Sequence, residues 1–216
     1  MEGAMVRDIA LVCLAVGVIG ISYGAIAVTS GFPLWFPVLL GTMVLAASSE
    51  FLFIGIVAAG GSPVAAVLAG LLVNSRHLPF GLAVPDVFGR GWRRLVGIHF
   101  MNDETVAFAV NQEDHDRRRA AYWACGLGIL LCWPVGAALG GLIGTAVSDP
   151  DVFGLDTVFP AALLALILPA FNDPKTRRAA LTGAAVALVT TPFLPAGLPV
   201  LLGLLGLLTI VRDKET

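Results

Sequence analysis

Charge is what this chain has least of. Of its 216 residues, 13 are Lys or Arg and 15 are Asp or Glu, 13% in all, about half the share of an average soluble domain. Hydrophobic residues make up 57% and the mean hydropathy is +0.89. These values exclude a water-soluble globule, and a net charge of −2 gives no electrostatic footprint for nucleic acid. Cysteine is also scarce. Cys13, Cys125 and Cys132 lie in apolar runs with no C-x-x-C pair, which excludes a disulfide framework and a zinc site. The three histidines, His77, His99 and His115, lack helical ligand spacing. There is no H-E-x-x-H, G-x-S-x-G, P-loop or dinucleotide fingerprint, so the sequence points to no enzyme and calls for no metal or cofactor.

What is present is long uncharged stretches. No Asp, Glu, Lys or Arg occurs over 9–49, 51–75, 120–148 or 179–211, whereas a bilayer-spanning helix needs about 20 apolar residues. The runs are continuous rather than alternating, which excludes a transmembrane barrel. The expected fold is all-α: a polytopic membrane protein of about seven or eight transmembrane or re-entrant segments, some discontinuous, forming one integral-membrane domain over residues 1–216. Glu2, Arg7 and Asp8 stand where a signal peptide would carry a basic region, so the first apolar run reads as a span.

The expected segments are about Ile9 to Val28, Phe36 to Ala59, Val64 to Val84, Leu95 to Val110, Ala120 to Val147 interrupted by Pro134, Val158 to Phe171, and two pieces of the last run divided by Pro192, Pro195, Gly197 and Pro199. As one helix that last run would be about 50 Å long, against a hydrocarbon core of about 30 Å. Loops are expected at Arg90–Arg94, at Glu113–Arg119 and at the acidic Ser148–Thr157. Gly136, Gly140 and Gly144 are spaced by four and predict a helix-packing face. Lys and Arg favour cytoplasmic loops. A model in which 95–110 dips in and returns leaves only Arg7 outside, and it is preferred over one in which every segment crosses. Both put Ser148–Thr157 outside and the C-terminus in the cytoplasm.

Four ionisable groups stand at membrane depth: Glu50, Arg76, Asp103 and Glu104. Unpaired, they would cost on the order of 10 to 14 kcal/mol on insertion scales, so they must pair, neutralise or face a wet cavity. Their neighbours complete a candidate set for substrate binding or coupling: Ser48, Ser49, Glu50, Phe51, Asn74, Arg76, His77, Asn102, Asp103 and Glu104. A zwitterionic amino acid would need an anion contact from Arg76 or a half-helix N-terminus, a cation contact from Glu50 or Asp103, and an apolar pocket from Phe51, Phe53 or Phe80. The small residues and two hydroxyls of Ala46-Ala47-Ser48-Ser49-Glu50-Phe51 allow a locally opened helix there, and a structural Glu50–Arg76 pair is the plainer alternative.

The order and spacing of Ile21-Ser22-Tyr23-Gly24, Ala46-Ala47-Ser48-Ser49-Glu50-Phe51, Ala58-Ala59-Gly60-Gly61-Ser62-Pro63 and Asn74-Ser75-Arg76-His77-Leu78-Pro79-Phe80-Gly81 resemble the AzlC family of branched-chain amino-acid permeases. Asn102-Asp103-Glu104-Thr105-Val106-Ala107 and the stretch from Phe159-Pro160-Ala161 to Pro169 resemble later family segments. The resemblance implies a secondary transporter subunit exporting branched-chain or related apolar amino acids across a prokaryotic cytoplasmic membrane, with a small AzlD-type membrane partner. The family commonly has Gln where this chain has Glu50 and Tyr where it has Phe80; a protonatable Glu50 would fit proton coupling. The rival readings are a non-transporting scaffold that binds a partner through the Gly136, Gly140 and Gly144 face, and an intramembrane enzyme.

Overall fold

The computed structural model describes residues 3–146, 164, 168–194 and 198–209. Among them the ordered elements are all helical. Three stretches are long and apolar enough to cross a membrane: Gly3–Thr29, Pro63–Ala83 and His115–Ala146. The protein is an all-α membrane protein whose chain folds into two units, Met1–Glu50 with Val73–Asp156 and Phe51–Leu72 with Thr157–Thr216.

The first unit is built on α1 (Gly3–Thr29) and α8 (His115–Ala146), which form its most extensive helix pair. Their facing sides are small and their outward sides large. A Cβ added at Gly136 or Gly140 would collide with the carbonyl oxygen of Gly17 or Ile21, and one at Gly144 would lie 3.0 Å from the Ala25 oxygen. Leu11, Leu14, Leu131, Val135 and Leu139 project outward. Lipid tails are as apolar as leucine, so close backbone approach rather than hydrophobic burial holds such a pair. The predicted glycine face is therefore covered by α1.

The contacts also set direction. Cys13 lies by Cys125, Gly17 by Cys132, Gly20 by Trp133 and Ala25 by Gly144, so α1 and α8 run parallel and begin on the same side. A cavity of about 270 Å³ joins that end of α1 (Met5, Asp8) to Asn111, Gln112 and Arg117. His115 lies 3.7 Å from Asp86, and the Trp123 indole N–H donates to the Val87 oxygen at 2.9 Å. Arg7, the Arg90–Arg94 stretch and Arg117–Arg119 thus share one side. This corrects the preferred topology, which separated Arg7 from the other two groups; the all-crossing alternative had already placed Arg7 with Arg117–Arg119.

Between these two helices the chain is broken three times. The second span, expected over Phe36 to Ala59 with a local opening around Ala46–Phe51, is α2 (Trp35–Met43) and α3 (Ala47–Ala58); Leu45 at φ +52° interrupts it, since a left-handed residue cannot continue a right-handed helix. The third is α4 (Pro63–Asn74) and α5 (His77–Ala83), parted at Ser75-Arg76 as its polar residues required. The fourth is α6 (Trp92–His99) and α7 (Asp103–Val110). The Asn102 side chain accepts from the Thr105 N–H at 2.9 Å and the Thr105 hydroxyl accepts from the Asn102 N–H at 3.0 Å, a reciprocal cap that starts α7 anew. Each arm is about 12 Å long, and the arms leave and rejoin the arginine side.

Two expected loops are largely helical. Arg93 and Arg94 sit in the first turn of α6, and His115–Arg119 open α8. Pro134 does not interrupt α8; within membranes a lost backbone bond is tolerated where neighbours re-satisfy it.

In the second unit, Ile56, Ala66 and Ala69 pack with Leu52, Phe53, Val57 and Leu201. Helix α9 (Pro174–Thr190) is capped by Asp173, which accepts from Thr176 N–H at 2.8 Å. The Thr176 hydroxyl and backbone bonds hold the exposed Asp173 carboxyl below the usual carboxylate range. A turn at 191–194 leads to α10 (Leu198–Leu202) and a 3₁₀ turn, Gly203–Leu207, the expected division of the last run. The Ser148–Thr157 loop, most of Val158 to Phe171 and the C-terminal Arg212 and Lys214 lie outside the described residues.

Candidate functional site

The three breaks bring polar groups together in the first unit. At the first, the N-terminus of α3 is held by its own side chains. Glu50, 1% exposed, accepts from the Ala46 N–H at 2.9 Å through Oε1 and from the Trp133 indole N–H at 3.0 Å through Oε2. Tyr23 stacks on Trp133 with ring centroids 5.2 Å apart, and its hydroxyl faces the same carboxyl. Gly41 permits this packing: a Cβ there would come within 2.9 Å of the Trp133 indole nitrogen. The Ser49 hydroxyl donates to the Ala46 oxygen at 2.8 Å.

At the second break, the Asn74 side-chain amide donates to Ser49 Oγ at 3.0 Å, and a ring nitrogen of His77 lies 2.8 Å from the Asn74 backbone oxygen. Arg76 is the junction. One guanidinium nitrogen donates to Ser48 Oγ and pairs with Asp103 Oδ2, both at 2.9 Å. Asp103 and Glu104 occupy the first turn of α7, where the helix dipole favours negative charge. His99, at the third break, places Nε2 2.9 Å from the Thr42 backbone oxygen at the end of α2.

The structure thus gathers Ser48, Ser49, Glu50, Asn74, Arg76, His77, Asn102, Asp103 and Glu104. Phe51 belongs to the other unit. Asn102 acts on its own backbone as the cap of α7. Glu50 does not pair with Arg76, because its two oxygens are taken by donors within reach while Asp103 faces the guanidinium. Trp133 was not singled out in the sequence; Tyr23 entered only through the family resemblance, and His99 only as a neighbour of the ionisable groups at membrane depth. Trp133 carried a signal all the same: tryptophan concentrates at membrane interfaces, and one in the middle of an apolar run, beside a proline, needs an internal partner for its N–H.

Two buried polar atoms in this cluster have no hydrogen-bond partner among the described residues: Asn74 Oδ1, an acceptor, and Arg76 Nε, a donor. The Arg76 and Asp103 side chains are 28% and 31% exposed, so the pair is accessible at its rim. Such a site can offer a cationic donor and an anionic acceptor side by side to a ligand carrying both charges.

The AzlC protein family model matches residues 11–147, well over half of the chain and every residue of this cluster. The chain belongs to the AzlC family. It is 29% identical over 203 residues to the branched-chain amino acid transport protein AzlC of Bacillus subtilis, covering 90% of this chain and 78% of that one. It is 26% identical over 175 residues to an uncharacterised membrane protein of Haemophilus influenzae (79% and 71% covered), and 24% identical over 173 to one of Helicobacter pylori (79% and 75%). No solved structure matches the chain. In AzlC terms, the Ser-Glu-Phe and Arg-His elements that carried the resemblance are the flanks of the first two breaks.

Proposed function

We propose that this chain is a secondary transporter subunit that exports branched-chain and related apolar amino acids across a prokaryotic cytoplasmic membrane. In this reading residues 1–216 act as one transport domain, with the C-terminus cytoplasmic and a small AzlD-type membrane protein as partner. The observation that carries it is the Arg76–Asp103 pair at 2.9 Å, set among three broken segments beside the two unpartnered polar atoms. Discontinuous helices meeting at polar residues are a recurrent way to build a transporter site.

A neutral amino acid is a carboxylate and an ammonium on one carbon, so it can replace each member of an ion pair for the other. Its carboxylate takes Arg76, including the unused Nε donor, and its ammonium takes Asp103 and Asn74 Oδ1. The exchange leaves the buried charge balanced, which a cationic or anionic amino acid would not do, and side-chain selection is left to apolar walls. With no nucleotide-binding motif in the chain, the driving force in this reading is an ion gradient.

Flux in oriented vesicles across a panel of amino acids, with and without a co-expressed small hydrophobic partner, tests this. Branched-chain substrates should move outward faster than charged ones; failure to move any amino acid in both preparations would sink the proposal.

Glu50 is the proposed proton-coupling group. A Gln at 50 keeps one acceptor but turns an amide N–H₂ toward either Ala46 N–H or Trp133 N–H, facing donor with donor at a cost of about 1 to 3 kcal/mol. We expect Glu50→Gln to fold with reduced stability and to transport with a flattened pH profile. A variant that keeps the wild-type pH dependence removes Glu50 from coupling.

A further inference from the structure

Where the charged start of α8 gives way to its apolar run, a cavity of about 400 Å³ opens between α6 and α8, lined by Trp92, Arg93, Asp116, Arg119, Ala120 and Trp123. The α8 residues, Asp116, Arg119, Ala120 and Trp123, follow the i, i+3, i+4, i+7 pattern of one helix face. One wall is fixed: the Trp123 indole donates to Val87, and its ring meets Phe100 edge-on at 5.5 Å. The other carries Arg93, whose guanidinium lies 6.0 Å from the Trp92 ring centre, within range of a cation–π contact. Gly89, at φ +78°, turns the chain beside Arg119, whose guanidinium nitrogen lies 3.4 Å from where a Cβ would stand, an ordinary van der Waals contact.

The two guanidiniums are not neutralised from within. Neighbouring Arg118 lies 3.8 Å from an Asp86 oxygen and donates to the Ala83 oxygen, but among the described residues neither Arg93 nor Arg119 makes an ion pair. Asp116 is the one acid lining the cavity, and its side chain is 98% exposed. Below them the apolar surface continues outward: Trp92 is 71% exposed and Leu95 72%.

We infer that this cavity is a headgroup site for an anionic phospholipid, with Arg93 and Arg119 holding its phosphodiester and Trp92 and Leu95 flanking its acyl chains. Guanidinium forks match phosphate oxygens, and basic pockets between helices at the membrane surface hold anionic headgroups. Continuity with a lipid-facing surface favours a ligand with an apolar tail. The site lies on the arginine-rich side of the membrane and is independent of the amino-acid site.

The test is thermal unfolding of the full chain in neutral detergent, titrated with phosphatidylglycerol, with phosphatidylcholine and with inorganic phosphate. Phosphatidylglycerol should protect and the other two should not. R93Q/R119Q should raise its half-saturating concentration about 30-fold, from roughly 1 kcal/mol for each surface arginine. R7Q/R177Q, which removes the same charge elsewhere, should leave it unchanged. Equal protection by phosphatidylcholine, protection by inorganic phosphate alone, an unaltered R93Q/R119Q, or an equal loss in R7Q/R177Q would each overturn the site. As a readout independent of the arginine variants, brominated phosphatidylglycerol should quench wild-type tryptophan fluorescence more than brominated phosphatidylcholine, with the difference lost in W92F; equal quenching would overturn it.

Discussion

Gly140→Leu is expected to abolish accumulation of the folded protein. A Cβ at this position would collide with the Ile21 carbonyl oxygen and stand 2.6 and 2.8 Å from the carbonyl carbon and Cα of the same residue. These are backbone atoms of α1, so no rotamer change relieves the clash; α1 and α8 must move apart there. Gly24 repeats the constraint from the α1 side, where a Cβ would stand 2.7 and 2.8 Å from the Ala137 carbonyl carbon and Cα. Overpacking of ordinary cores costs about 1 to 3 kcal/mol, and an unyielding backbone seam should exceed that. Gly55→Ala is the control. Nothing lies within 4 Å of a Cβ there, and alanine favours a helix interior by about 1 kcal/mol over glycine. Membrane expression and thermal unfolding in detergent compare the two. A Gly140→Leu protein that unfolds at the wild-type temperature would refute the close α1–α8 seam.

That seam was legible because its signal is local: three glycines spaced by four on one helix need no knowledge of the partner. The break before α5 was legible too, since Asn74, Ser75 and Arg76 interrupt an apolar run and cannot face lipid. The break between α2 and α3 was legible in place, as a local opening around Ala46–Phe51, but not in its mechanism. Val44-Leu45-Ala46 contains neither glycine nor proline, and the chain turns there through a left-handed leucine whose neighbours are held by Glu50 and Ser49, four and three residues on from Ala46. The partner of Glu50 was hidden for another reason. Trp133 stands 83 residues away, and pairing by charge alone pointed to Arg76. Topology was misjudged because counting arginines treats loops independently, whereas the parallel packing of α1 on α8 ties Arg7 to Arg117–Arg119. What the sequence did mark was the set of polar intruders in apolar segments, and Arg76 with Asp103 is the pair those intruders form.

Arg76→Ala should cut transport about 10- to 100-fold, the loss of a charge-assisted contact of roughly 1.5 to 3 kcal/mol, with the protein still folded. Two effects combine. The substrate carboxylate loses its guanidinium, and Asp103, deprived of the partner at 2.9 Å, becomes an unbalanced negative charge beside Glu104. Arg76→Lys should fall between, because it keeps the charge but loses the planar fork that also reaches Ser48. Asp103→Asn removes the anionic contact for the substrate ammonium, and in it the apparent substrate affinity should fall more than the maximal rate. The two sites touch, so their effects should not add: the double variant Arg76→Ala/Asp103→Ala leaves neither charge stranded, and its stability should exceed that of Arg76→Ala. Flux in vesicles and unfolding in detergent, measured on the same four variants, separate the roles. Wild-type flux in Arg76→Ala would move the substrate site away from this pair and favour a scaffolding role for the chain, whereas lost flux with the stability order reversed would leave Arg76 in transport but remove the ion pair as the element the substrate displaces.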